Sequence, residues 1–308
     1  MRAVDHLLRA TARAESRHFW FRGFRWFVTP LIRHAIDHHP NARILDCGCG
    51  TGANLELLGR YGVTYGFDLS EVGLYIGHES GRIRLARASV TAAPFSSEAF
   101  DLVTSFDVLY SLPAAAERAA VAEMYRLTRP GGFVLINVAA MPMLRGDHSV
   151  LSHELRRYTR ATLRALVTEA GFEIVRITHT NQLLFVPMLA VRALHRWRGL
   201  SAESNAQQEI AVPAAPINAF LSLLLFVESL WRRRFDSAIG SSLLCLARKP
   251  VDTLSGISRP TGCETRRMRH RDTEPQRIIS RALKKATLNK RSSDEEMFCC
   301  SGTSFPTF

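Results

Sequence analysis

The sequence has little of what marks a secreted or membrane-spanning chain. Six cysteines in 308 residues are too few and too scattered for a disulfide framework, so a reducing, cytoplasmic setting is expected. Apolar stretches such as Ala219–Val227 reach only about half of the roughly 20 residues that cross a bilayer. The aromatic stretch Phe19–Phe27 is broken by Arg22 and Arg25. The opening segment carries Arg2, Asp5, Arg9, Arg13, Glu15 and Arg17 and lacks the apolar core of a secretory leader. An acidic excess is missing too. Lys and Arg number 40 against 28 Asp and Glu, a net charge of +12 that favours anionic partners without choosing among nucleic acid, lipid headgroups and acidic metabolites. With 46% hydrophobic and 22% charged residues, the chain is neither collagen-like nor wholly disordered.

The pattern changes near Pro250. Beyond it Val, Ile, Leu and Phe make up 10 of 58 residues and no apolar periodicity survives. Such a segment cannot bury enough apolar surface to offset its ordering entropy, and 251–308 reads as a disordered tail. Its 11 basic and 7 acidic residues leave it at +4, so the remainder keeps +8 and the basicity is not a property of the tail alone.

Before Pro250, short apolar runs alternate with helical patterns. The predicted strands are 43–46, 63–68, 83–87, 101–106, 133–138, 172–178 and 243–247. Helical patterns cover 54–60, 71–78, 114–127 and 159–170, with Thr159 placed as an N-cap and Gly171 just past the end. Apolar strands separated by helices imply an α/β fold, a Rossmann-like, mostly parallel seven-stranded sheet with helices on both faces. Residues 1–40 read as an N-terminal helical cap. Residues 180–240, inside a domain spanning 41–250, read as a helical insertion or lid before the last strand.

The strongest local signal is Ile44-Leu45-Asp46-Cys47-Gly48-Cys49-Gly50-Thr51-Gly52. An apolar strand runs into alternating glycines and then a helix, whose first N–H groups and positive dipole end face the loop. Asp46 distinguishes between possible ligands. A carboxylate two residues before the first glycine repels a pyrophosphate and pairs with an ammonium, which disfavours a dinucleotide. Asp68 ends the second predicted strand, where an acid can take both hydroxyls of a ribose. Cys47 and Cys49 lack other Cys or His at ligand spacing, and they read as small loop-filling residues with no metal site.

These segments resemble the class I S-adenosylmethionine-dependent methyltransferases, in particular the bacterial branch similar to ubiquinone-biosynthesis methyltransferases. Leu45–Gly52 looks like that family's first motif, and Gly66-Phe67-Asp68-Leu69-Ser70 like its second-strand acid. Pro94-Phe95 with Phe100–Val103 and Leu127-Thr128-Arg129-Pro130-Gly131-Gly132 resemble its approaches to strands four and five. His18–Arg22 and Arg156–Thr159 also look like segments of that branch. The resemblance implies S-adenosylmethionine as cofactor, held by Asp46, Gly48, Cys49, Gly50, Gly52, Asp68, Leu69, Ser89, Val90 and Phe106. Two departures stand out. Ser89 occupies the place where such enzymes usually have an acid near the adenine, and Tyr110-Ser111 stand where Glu-His is common.

The implied function is methyl transfer to a small-molecule or lipid-like acceptor. A base is needed only where the acceptor arrives protonated. The candidates lie beyond strand five, in Asp147-His148, His153 and Arg156-Arg157-Tyr158, with His148, His153 and Tyr158 as catalytic choices and the arginines as anion holders. The departures keep a rival open, a non-catalytic protein of this fold that binds nucleic acid or a membrane surface through its basic face. In the first reading, no nucleic acid is expected as a partner.

The predicted helices 183–197 and 217–235 each end in an aromatic-basic cluster, His195–Arg198 and Trp231–Phe235. A lid with its apolar face over the acceptor site needs no lipid and is the preferred reading. A helix lying at a membrane interface, which would make the protein membrane-peripheral, is the alternative. Truncation after Pro250 is expected to leave the thermal midpoint and cofactor affinity nearly unchanged. A fall of many degrees in a melting experiment would show that the tail packs on the domain.

Overall fold

The computed structural model describes residues 2–37, 39, 41–144, 154–190 and 211–251. The expected tail, the linker at 201–208 and the helix expected beyond residue 190 lie outside these.

Seven strands, β1 (Arg43–Cys47), β2 (Val63–Asp68), β3 (Leu85–Arg87), β4 (Phe100–Phe106), β5 (Thr128–Ala139), β6 (Glu173–Thr180) and β7 (Ser242–Arg248), form one sheet in the order β3-β2-β1-β4-β5-β7-β6. Only β7 runs antiparallel to its neighbours, so the sheet is mostly parallel as expected. Alternation decides which side each residue serves. Leu45, Val103, Ile136 and Cys245 join one core, and their neighbours Ile44, Leu102, Leu135 and Leu244 join the other. Helices α5 (Ala114–Leu127) and α6 (Arg160–Glu169) cover the first through Val121, Met124, Leu163 and Val167. Helices α2 (Phe19–Ile36), α3 (Ala53–Leu58) and α4 (Glu71–Glu79) cover the second through Val28, Ile32, Leu58 and Leu74. Helix α7 (Ala215–Arg232) packs against α2.

Local signals account for several boundaries. Thr159 caps α6 by a reciprocal pair of bonds with Thr162, and Gly171 follows with φ 101°. Strand β5 begins five residues earlier than its apolar run. Gly131 N–H donates to the Lys249 carbonyl and Lys249 N–H to that of Gly132, both at 2.9 Å, so the Pro-Gly-Gly turn is stitched to the chain leaving β7. The turn is accommodated as an irregularity in the β4–β5 register between Phe100 and Leu102.

The N-terminal cap is two helices, α1 (Arg2–Ala14) and α2. Helix α7 docks on the second. A Cβ at Gly23 would stand 2.4 Å from Leu225 Cδ1, so this glycine lets the two helices approach closely. Asn218 fixes the upper end, accepting from Phe19 N–H at 2.9 Å and donating to the Arg17 carbonyl at 3.0 Å. Near the other end, Glu228 accepts the N–H groups of Gln182 and Leu183 at 2.8 and 3.0 Å. Ser222, Leu225, Glu228 and Ser229 of α7 are buried, with Leu221 and Leu224 partly buried beside them, while Ile217, Phe220, Leu223 and Val227 are exposed.

Helix α4 lies close against the glycine loop. A Cβ on Gly77 would meet the Thr51 carbonyl oxygen at 2.6 Å, and one on Gly73 the Gly50 oxygen at 2.8 Å. Intrinsic propensity alone makes Gly77→Ala stabilising by up to about 1 kcal/mol. The close backbone approach predicts the opposite, a loss of about 1–3 kcal/mol on urea denaturation, because a backbone oxygen cannot swing aside.

Candidate functional site

The site is built at the carboxyl ends of the strands, where the order of connections reverses between β1 and β4. Gly48, Gly50 and Gly52 all have positive φ, at 78°, 56° and 76°. Gly48 is doubly required, since a Cβ there would also lie 2.5 Å from Val108 Cγ2. Gly48 and Cys49 donate to the Phe67 carbonyl at 2.9 and 3.0 Å, which fastens the loop to the end of β2.

Asp68 completes that fastening. One carboxylate oxygen accepts from Gly50 N–H and the other from Ser70 N–H, each at 2.8 Å. Ser70 then caps α4 through Gly73 N–H. Asp68 stays half-buried, and Leu69 beside it is exposed. A carboxylate oxygen has more than one lone pair, so Asp68 can hold the loop and still accept from a ligand hydroxyl.

Asp46 is fully buried between β2 and β4, opposite Gly66 and Thr104. Thr104 Oγ1 donates to Oδ1 at 2.7 Å, and Oδ2 has no hydrogen-bond partner. Burial pushes its pKa up to about 7, opposed by the Thr104 bond and reinforced by the nearby Asp68 charge. A buried carboxylate oxygen with no partner costs stability unless a donor or cation meets it. Cys47 and Cys49 are buried and burial holds both thiols well above their ordinary range, so neither is a ready thiolate. Among the described residues, no group of three or more His, Cys, Asp or Glu could hold a metal ion.

Ser89 and Val90 follow β3 at the same edge. Ser89 shares a 2.8 Å hydroxyl contact with Thr91, and Val90 packs against the core. Phe106 closes β4 with its ring edge-on to Phe24 of α2 at 4.9 Å. The next residue, Asp107, is one the sequence reading passed over. It is exposed, has φ 62°, and accepts at 2.9 Å from Asn137 of β5. The available signal was its place: Asp46, Asp68 and Asp107 end or follow three adjacent strands.

The N-terminal cap reaches the loop. Glu15 accepts from Thr51 Oγ1 at 3.1 Å, Arg82 donates to the Thr51 carbonyl at 3.0 Å, and Leu8 lies over Gly50. Glu15 has its pKa raised, mainly by burial.

Of the three catalytic candidates, His148 and His153 lie outside the described residues, as does Asp147. Tyr158 is buried and donates its hydroxyl to Glu117, which also pairs with Arg156. Burial, with Glu117 beside it, pushes the phenol above its ordinary range. Tyr158 is thus a bolt holding the chain after residue 153 against α5, and it is ill suited to take a proton. Arg157 donates to Glu154 and to the Ala140 carbonyl, each at 3.0 Å. Both arginines expected to hold an acceptor anion are therefore engaged with carboxylates. Tyr110, at the departure from the common pattern, accepts Leu155 N–H at its carbonyl. Tyr158→Phe is expected to lower stability by about 1–3 kcal/mol in urea, through the buried Glu117 it leaves short of a donor, with cofactor affinity little changed by calorimetry.

Residues 45–136 match the methyltransferase domain family. The chain is 32% identical over 135 residues to the demethylmenaquinone methyltransferase of Geobacillus kaustophilus, covering 41% of this chain and 56% of that protein. It is 31% identical over 127 residues to the ubiquinone/menaquinone biosynthesis C-methyltransferase of Geotalea daltonii, covering 37% and 51%. The chain spans about half the length of the curated relatives it matches. Among solved structures it is similar to phosphoethanolamine N-methyltransferase 2 of Haemonchus contortus in complex with S-adenosyl-L-methionine. That likeness has 15% identity and a TM-score of 0.48, over 79% of this chain and 60% of that one. The matched segment runs from β1 into β5 and contains the glycine loop flanked by Asp46 and Asp68, so this part of the chain is similar to methyltransferase domains.

Proposed function

We propose that this protein transfers the methyl group of S-adenosylmethionine to a small-molecule or lipid-like acceptor. The observation that carries the reading is the partnerless Oδ2 of Asp46, a buried carboxyl oxygen beside a glycine loop. It fits the ammonium of the cofactor's methionine end and opposes a pyrophosphate. In this reading Asp68 accepts from the ribose, and Ser89 and Val90 border the adenine. When bound, the cofactor supplies an already activated methyl group, so the chain's task is to orient and to exclude water. Oδ2 is sealed from solvent, so binding requires groups around the loop to shift. Leu8 and Val108 are the side chains nearest Gly50 and Gly48. The quinone-biosynthesis relatives support a small apolar acceptor.

The pKa of Asp46 sets the pH dependence. Its folded-state value of about 7 lies above the ordinary 3.8, so the native state holds a proton that the unfolded chain releases within that window. Stability from this group therefore falls as pH rises toward 7, and a bound ammonium offsets that loss. Affinity for S-adenosylhomocysteine should rise with pH and level off above about 7, falling by up to about tenfold per unit below it. Asp46→Asn should weaken binding and flatten this profile in titration calorimetry. Asp68→Ala should cost about tenfold or more through loss of a charge-assisted contact. Unchanged binding in both variants would refute the site. A screen of acceptors with labelled methyl donor tests turnover, and binding without turnover of any acceptor would favour the non-catalytic rival.

A further inference from the structure

Helix α7 is anchored to the protein by Asn218, Leu225 and Glu228 and turns a further apolar face to the outside. Ile217, Phe220, Leu223, Val227, Leu230 and Trp231 recur at three- and four-residue spacing over about four turns. All are exposed, Phe220 at 59%, Leu223 at 57% and Trp231 at 62%. No charged residue interrupts this outward stripe before Arg233. Beside it Leu183 and Val186 add further exposed apolar surface. Monomeric soluble proteins rarely leave so continuous an apolar face in water.

The rim of the face is basic. Arg233 and Arg234 are exposed next to Trp231 and Phe235. At the opposite flank exposed Arg22 stacks over Trp26, whose ring meets Phe226 edge-on at 5.2 Å. The acid nearest the arginines, Asp236, is occupied by Arg176 at 2.8 Å, and Glu228 faces inward. Arg232 is not part of the rim, since it donates to Gln182 and to the Phe235 carbonyl.

We propose that this face is a docking surface for an anionic lipid bilayer, with the apolar stripe at the headgroup–acyl boundary and Arg233, Arg234 and Arg22 against lipid phosphates. An apolar stripe lined with tryptophan and edged by arginines matches such an interface in both polarity and charge. No helix among the described residues is long and apolar enough to cross a membrane, so the contact is peripheral. The proposal does not depend on the methyl-transfer reading, because the surface lies on α7 and not on the glycine loop.

The test is flotation of the full chain with vesicles of phosphatidylcholine mixed with phosphatidylglycerol, against phosphatidylcholine alone, at low and high salt. Binding to the anionic vesicles, weakened by salt, is expected. Arg233→Gln with Arg234→Gln should reduce it by about fivefold per charge removed. Leu223→Asp with Val227→Asp should abolish it while leaving the melting temperature unchanged, since both side chains are already in water. Three results would overturn the proposal. The parent protein could fail to bind anionic vesicles. Binding could persist in the double-aspartate variant, which would place it on other basic segments. The aspartates could instead lower the melting temperature or split an oligomer, showing that the face is covered by another part of the chain or by a second copy.

Discussion

The close approach of three backbone segments, the glycine loop, the end of β2 and the first turns of α4, is the constraint on which the site depends. Gly66 admits Cys49, whose sulfur would lie 2.9 Å from a Cβ there, while Gly73 and Gly77 admit the carbonyls of Gly50 and Thr51. Only with these backbones in contact can the Asp68 carboxylate span Gly50 and Ser70 N–H groups. The same packing presses Asp46 into the sheet beside Thr104 and leaves its second oxygen partnerless. A buried carboxyl oxygen with no partner is thus a by-product of close packing, held in place by the fold.

Two appendages bear on this centre from different directions. The N-terminal cap touches the loop itself, through Glu15 on Thr51 and Leu8 over Gly50. Helix α7 does not touch the loop but rests on α2, with Gly23 and Leu225 in contact. The cap is therefore coupled to the cofactor end, and α7 to the outer surface. On the far side of the sheet, Glu117 collects Tyr158 and Arg156 and fixes the chain where it emerges near Tyr110. Carboxylates at Glu117 and Glu154 occupy the arginines that composition alone would have offered to an anionic acceptor.

An outward apolar face on α7 and a lipid-like acceptor are independent inferences that fit together physically. An apolar acceptor dissolved in a bilayer is scarce in water, and an enzyme seated on that bilayer meets it at higher local concentration. The basic character of the chain agrees with such a placement, because polybasic surfaces gain most against anionic headgroups and lose that gain in salt.

Much of the fold was legible in the sequence because its signals are local. Apolar runs set six of the seven strands within about two residues. Thr159 and Gly171 bounded α6 by their own chemistry, and the alternating glycines between Asp46 and Asp68 located the loop at the carboxyl ends of β1 and β2. Strand β5 was the exception, its first residues being recruited by pairing with the chain after β7. What only the tertiary structure decided depends on contacts between residues far apart in sequence. The periodicity of 217–231 reveals an amphipathic helix, but its burial follows from Gly23, Arg17 and Gln182 meeting Leu225, Asn218 and Glu228. Tyr158 read as a possible proton acceptor until Glu117, 41 positions earlier, was found to hold its hydroxyl. Asp107 was marked only by its place after β4, because a positive φ at a non-glycine residue leaves no mark in the sequence and its partner Asn137 comes from the neighbouring strand. Patterns fix the elements because they repeat along the chain; partners are fixed only when the sheet brings distant segments within hydrogen-bond reach.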